Sequence, residues 1–431
     1  MRDYFVLGTV LLSLPVCFAR PFFGVLMWTW VGIMNPHRLS WGVALEFPVA
    51  LCVGAATLLG FLLSAEPKRL PRSPGTRLLL ALWVCLTIST IFAYHFDLSY
   101  PLWIRRSKMF LIVVVMLMLL RTRERIRIMC FVIAACIGFY GVKGGLFAIA
   151  TGLQYRVEGP DGTLLGGNNA IAVGLNMTLP MLLFLQRDVK DWWLRLFLWG
   201  AFALTILATV STYSRGGFVG LCAVLVLLLL KSRRRLIGAV LFTVAVAGAY
   251  SFVPDRWFNR METIETYEQD SSAMGRVNAW ILAWRLAVAR PLFGWGPDAM
   301  EDKTLYDVYY PESETRNDVH GAYFQLLGEG GFITFGVFIS LFGWCLFSMQ
   351  RLVWRCRGDP EWGWMATHAE MVQVSLVGYL VSAMFLELAF LDVPYQLAAV
   401  GIALGDLAQD AAERDRLRNP ATMVTTARRA A

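Results

Sequence analysis

Apolar residues dominate this chain in blocks, and the blocks are long enough to matter: a helix needs about 20 apolar residues to cross a bilayer. Such runs occur near 4–34, 45–64, 78–93, 104–120, 128–150, 169–185, 196–212, 216–230, 236–253, 321–350, 369–391 and 394–408. The first is read as a single block or as a broken pair. Together they predict about twelve crossings and an all-α, polytopic membrane bundle. Arg20-Pro21 is not a small-residue cleavage site, and the apolar character resumes at once, so the first block is expected to remain as an anchor.

The polar positions between blocks supply a topology. Basic clusters lie at Lys68 to Arg77, at RTRERIR (121–127), from Arg187 to Arg195, at KSRRR (231–235), from Arg351 to Arg357, and in the tail. The positive-inside rule sends these to the cytoplasm. It leaves 94–103, 151–168, the turn around 211–216 and the long stretch 254–320 on the other face, in a bacterium the periplasm. The expected organisation is therefore 1–253 as amino-terminal membrane helices, 254–320 as a helical periplasmic segment, 321–408 as carboxy-terminal membrane helices, and 409–431 as a cytoplasmic tail.

Composition agrees, with 431 residues, 57% hydrophobic and only 16% charged. A net charge of +8 would suggest nucleic acid in a soluble protein; here the basic residues act as topology determinants, and no nucleic-acid partner is expected. The eight cysteines lie in or beside apolar runs without a CxxC pattern, as packing residues.

The stretch 254–320 reverses the charge balance of the chain, with twelve acids against seven bases. Within it VNAWILAWRLAVARP (277–291) puts Trp280 and Trp284 on one helical face, which predicts a helix lying on the membrane interface or capping the bundle. The acids Glu262, Glu265, Glu268 and Asp270 are spaced as one solvated helical face rather than as a metal site. No metal and no cofactor are expected.

Three features converge on this face. In STYSRGGFVG (211–220), Arg215 sits at the mouth of a helical hairpin. An arginine there can anchor to head groups by snorkelling, but Gly216 and Gly217 after it would let backbone amides approach an anion, and with the guanidinium they would form an oxyanion or phosphate clamp. Arg276 stands one turn before Trp280, where an exposed charge near a helix start is the alternative reading. His320 precedes a long apolar run, with Tyr323, Gln325 and Glu329 following at helical spacing, so a carboxylate could share its polar pocket. An ordinary imidazole titrates near pH ~6.5, which suits a general base. His37, His95 and His368 are read as structural.

The order S-R-G-G, then G-R-x-x-x-W (Gly275, Arg276, Trp280), then P-x-x-G-x-G (Pro291, Gly294, Gly296), then H-x-x-Y-x-Q-x-x-x-E-x-G (His320, Tyr323, Gln325, Glu329, Gly331) resembles the O-antigen ligase and polymerase superfamily. Motif support covers roughly residues 200–350. The amino-terminal third, with MNPHRL at 34–39, resembles O-glycosylation ligases associated with exosortase systems. In that family the residue after the histidine is often Asn or Ser; here it is Gly321, so another group must fix the imidazole.

The resemblance implies a GT-C-like inner-membrane enzyme that moves a glycan from undecaprenyl diphosphate to an acceptor hydroxyl on the periplasmic side. The acceptor would be lipid A core for a ligase, a second carrier-linked unit for a polymerase, or a protein side chain. His320 would then be the base, and Arg215 and Arg276 would hold the diphosphate in place of a metal ion. A secondary transporter also has about twelve helices, but it would carry buried charges near the midplane and an internal repeat. The intramembrane charges read from this sequence are few, namely Lys143, Glu387 and Asp392, and no repeat is evident.

Overall fold

A computed structural model describes residues 2–40, 42–232, 257, 271–313, 316 and 320–418. Among the described residues there is no strand, only an isolated bridge between Gly159 and Gly167. The helices are α1 (Arg2–Ala19), α2 (Pro21–Met34), α3 (Val43–Glu46), α4 (Val49–Leu63), α5 (Pro74–Ile91), α6 (Phe96–Leu119), α7 (Arg123–Ala150), α8 (Gly167–Leu185), α9 (Trp192–Val210), α10 (Arg215–Lys231), α11 (Ser271–Ala289), α12 (Thr304–Tyr309), α13 (Ala322–Cys356), α14 (Gly363–Ala383) and α15 (Asp392–Arg418).

Six of these, α1, α5, α7, α8, α9 and α13, are long and apolar enough to cross a membrane. Three of the other expected crossings fall short for physical reasons. The helices α2 and α4 are shorter, and α6 carries Asp97, Arg105, Arg106 and Lys108 within its length. The expected crossing at 236–253 and the acidic run 262–270 lie outside the described residues. The first apolar block is a pair: Arg20 leaves helical geometry and Pro21 starts α2.

The loops sort to two ends. At one end Arg125 binds Glu66 at 2.5 Å, and Arg357 binds Glu370 at 3.0 Å. Burial and the Asp188 carboxylate 3.4 Å away belong to His368 at this same end, and Lys231 donates to Gln373. At the other end Tyr94 donates its amide to the Trp295 carbonyl, Val157 to Ser211, and Asn168 Nδ2 to Thr212. The basic clusters at 121–127, 187–195, 231 and 351–357 therefore share one end. The candidate residues gather at the other.

The innermost helix is α8, packed by α7, α9, α10 and α14. Its Asn176, fully buried, donates to the Gly217 carbonyl at 2.8 Å and to Ser382 Oγ at 3.3 Å, joining three helices. Ser375 Oγ returns a bond to the Met177 carbonyl at 2.7 Å. Where hydrocarbon surrounds the bundle there is no hydrophobic drive between helices, so such bonds and close small-residue contacts carry association.

The feature that shapes the site is a break in α13. At 35 residues a straight helix would be about 52 Å long, against a hydrocarbon core of about 30 Å. Gly331, at φ 68° and ψ −175°, divides it into a short piece over 322–330 and a spanning piece over 332–356. A break frees backbone groups that must be satisfied internally. The turn PLFGWG (291–296) does this: Trp295 N donates to the Gly328 carbonyl at 3.1 Å, Gly296 N to that of Glu329 at 2.9 Å, and Phe332 N to that of Pro291 at 2.8 Å. Ser89 Oγ adds a second donor to the Glu329 carbonyl at 2.7 Å. A Cβ on Gly294, itself at φ 66°, would stand 2.5 Å from that carbonyl oxygen, so only glycine closes this contact.

Above the break lies α11. Trp280 stacks on Phe324 with centroids 4.9 Å apart, and Trp284 meets Phe332 edge-on at 5.5 Å. Leu282, Leu286, Trp295, Met300 and Tyr306 form a small core of their own under α11 and α12. Helix α11 is thus seated on the short piece of α13.

Candidate active site

Arg215 is the first residue of α10, whose start is set by Ser214: its hydroxyl accepts from Gly217 N at 3.1 Å and donates to Asn169 Oδ1 at 2.7 Å. The chain enters this cap through Tyr213, a non-glycine residue at φ 55°, held by its hydroxyl on the Leu153 carbonyl at 2.6 Å. A side chain in that conformation is costly and persists only where the surroundings fix it. The half-buried arginine therefore stands on a stiff mount.

Gly216 and Gly217 have a packing use besides the anion approach expected of them. A Cβ at Gly216 would lie 2.9 Å from Phe385 Cβ, and one at Gly217 would lie 2.5 Å from Ala172 Cβ. Both are buried helix contacts that let α10 close on α8 and on the turn after α14. They position Arg215 through packing.

His320 is exposed and stands two residues before α13. Its carbonyl accepts from Trp280 Nε1 at 3.2 Å. A Cβ on Gly321 would come within 3.0 Å of that indole nitrogen and 3.1 Å of the Met384 carbonyl. Gly321 thus makes room for Trp280, and Trp280 takes over the fixing of this segment, at the backbone rather than the imidazole. Arg276, half-buried, lies one turn before Trp280 on α11. Met384 touches the Gly321 position and Phe385 the Gly216 position. One two-residue turn therefore adjoins both the His320 segment and the Arg215 mount, which brings the three expected residues to one region.

The remaining expected residues serve the scaffold. Tyr323 Oη donates to the Leu380 carbonyl at 2.7 Å, tying α13 to α14. Gln325 Nε2 donates to Glu329 Oε1 at 3.2 Å. Glu329, expected near the histidine, is instead engaged by Arg106 Nη1 at 2.8 Å and the Asp298 amide at 3.3 Å. Arg106 also lies over the Phe390 ring, 4.1 Å from its centroid. The carboxylate pins the helix break, nine residues along the chain from His320.

Hydropathy does not single out Arg106, because 104–120 reads as one apolar run. The signal was there in RRSK (105–108), four residues with three cations inside a crossing. Beside the break, burial and then the Glu329 charge raise the Asp298 carboxyl above its ordinary range. The Thr304 hydroxyl, and after it His95 at 2.8 Å, hold Asp302 below it.

Comparison with protein families assigns these elements. Residues 200–339 match the family described as O-antigen ligase. The chain carries an O-antigen ligase domain. Arg215, Arg276, His320, Tyr323, Gln325 and Glu329 all lie inside the match, which supports the O-antigen ligase and polymerase superfamily. Residues 1–190 match a family of unknown function (DUF5935), and Arg106 belongs to that part. A search of curated proteins gave no match. Its several apolar helices suit a multi-pass membrane protein, and the match points to the ligase or polymerase class.

Proposed function

We propose that this protein is an O-antigen ligase of the bacterial inner membrane, transferring a glycan from undecaprenyl diphosphate to a sugar hydroxyl of lipid A core on the periplasmic face. The observation that carries the reading is the gathering of an exposed imidazole, His320, with two half-buried guanidinium groups, Arg215 and Arg276, at the end of the bundle opposite the basic loops. His320 accepts the acceptor hydroxyl proton as the oxygen attacks the anomeric carbon. The bond from that carbon to the diphosphate oxygen breaks, and the electron pair leaves with the diphosphate. The two guanidinium groups stabilise the charge that develops there, in place of a divalent ion. Direct displacement from an α-linked donor inverts the anomeric centre. Tyr323, Gln325 and Glu329 support the site by holding the short piece of α13.

The test is transfer by purified protein supplied with undecaprenyl-diphosphate glycan and lipid A core. Transfer is expected to persist in EDTA and to fall by about 100-fold or more in His320→Ala, the span of a general base. A product made only from a second donor would mean polymerase rather than ligase. Full activity in His320→Ala would remove the base assignment, and restoration of EDTA-treated enzyme by magnesium would remove the metal-free scheme.

A further inference from the structure

A second cationic site lies away from His320, in the part that matches the family of unknown function. Arg105 and Lys108 are three apart on α6 and so share a face. They line a cleft of about 470 Å³ between α6, α2, α4 and the start of α15. Arg105 is nine residues into α6, about 14 Å along its axis. Both side chains are exposed to the cleft, and neither has a hydrogen-bond acceptor among the described residues. Their neighbour Arg106 differs, being closed onto Glu329.

The rest of the cleft is built for an amphiphile. Trp28, Leu51, Leu58, Leu111 and Ile112 make apolar walls. Asp392 is the carboxylate that the described lining supplies, and Gln396, 2% exposed, presents a side-chain oxygen without a partner. At the rim a guanidinium nitrogen of Arg38 stands 3.4 Å from where a Cβ of Gly162 would be, adding a third cation. A smaller cavity of about 120 Å³ shares Arg105 and Asp392 and reaches Arg106 and Gln325.

We propose that this cleft binds the phosphate head group of an anionic membrane lipid, with Arg105 and Lys108 on the phosphate and the lipid chain against Leu51, Leu58 and Ile112. Asp392 offsets part of the charge of Arg105, but Lys108 and Arg38 leave the cleft with an excess of positive charge that a phosphate would balance. Arginine offers a planar fork to a phosphate and lysine a point charge. The apolar walls distinguish a lipid from free phosphate. The site is separate from the diphosphate role proposed for Arg215 and Arg276, and its test reads binding, so either assignment can fail without the other.

The experiment is lysine footprinting of the purified full chain in micelles, with acetylation of Lys108 read by mass spectrometry. The micelles contain phosphatidylglycerol or the zwitterionic phosphatidylcholine, and a third arm adds soluble glycerol phosphate. Phosphatidylglycerol is expected to slow Lys108 modification by about tenfold, the effect of one charge-assisted contact, and glycerol phosphate is expected not to. Arg105→Gln should lose that protection, while Arg351→Gln, at the opposite end, should keep it. Equal labelling of wild-type protein in both lipids overturns the site. Equal protection by glycerol phosphate overturns the lipid and assigns a free phosphate instead.

Discussion

Removing the Glu329 carboxylate should destabilise the protein more than removing any exposed charge. The pair it forms with Arg106 is 2.8 Å long, with side chains only 4% and 10% exposed. Breaking such a pair from one side leaves a buried charge and costs about 3–5 kcal/mol. Glu329→Ala also deletes the acceptor for the Gln325 amide and the Asp298 backbone, worth about 1 kcal/mol each. A loss of about 5–7 kcal/mol is therefore expected. Arg106 would keep the Phe390 ring, a contact of about 1–2 kcal/mol when desolvated, and the more distant Asp298 charge. The assay is unfolding in detergent micelles across a double-mutant cycle with Arg106→Ala. The double variant should cost less than the sum of the singles by about 2 kcal/mol or more. Joint replacement by Arg106→Met and Glu329→Leu should fall close to wild type, because an apolar pair of similar volume incurs no desolvation. Additive singles, or a Glu329→Ala cost below about 1 kcal/mol, would refute the reasoning and reduce the pair to an ordinary surface bridge.

Other outcomes follow from the same region. Gly294→Ala, at φ 66° with its new Cβ 2.5 Å from the Glu329 carbonyl oxygen, should cost at least about 2 kcal/mol in the same unfolding assay. Trp280→Phe keeps the ring against Phe324 but loses the donor to the His320 carbonyl; kcat should fall about tenfold with donor KM nearly unchanged, and an unchanged kcat would count against the fixing role. Asp298 titrates above its unfolded value. The folded protein therefore holds this proton longer, and stability contributed at low pH is lost as pH rises from the unfolded toward the folded pKa. Asp298→Asn, which also suits the left-handed φ of 70°, should raise the melting midpoint at pH ~7 and converge with wild type below pH ~4.

Helical crossings were legible because a period without charges is hard to disguise. The runs expected at 169–185 and 196–212 fall on α8, Gly167–Leu185, and α9, Trp192–Val210. The run expected at 321–350 falls on α13, but its division at Gly331 was not seen, since hydropathy records composition and the break depends on which donors wait at 291–296. The P-x-x-G-x-G motif was noticed as a family mark, and its physical use appeared only when its amides were found on the carbonyls of Gly328 and Glu329. Arg215, Arg276 and His320 were legible as unusual polar residues at apolar boundaries. The packing of Gly216 and Gly217 and the pairing of Glu329 were not legible for a common reason: each partner, Phe385, Ala172 or Arg106, is remote in sequence.

The Arg106–Glu329 pair also bears on how this chain could be assembled from parts. Arg106 lies in the portion that matches one family, and Glu329 in the portion that matches another. Each half alone would bury a charge with nothing opposite it. A hybrid that joins residues 1–190 to a ligase domain from elsewhere inherits that debt unless the incoming helix break brings a carboxylate to the same place. The two portions are thus not freely exchangeable cassettes, and the constraint on exchange is a single ion pair at the broken helix.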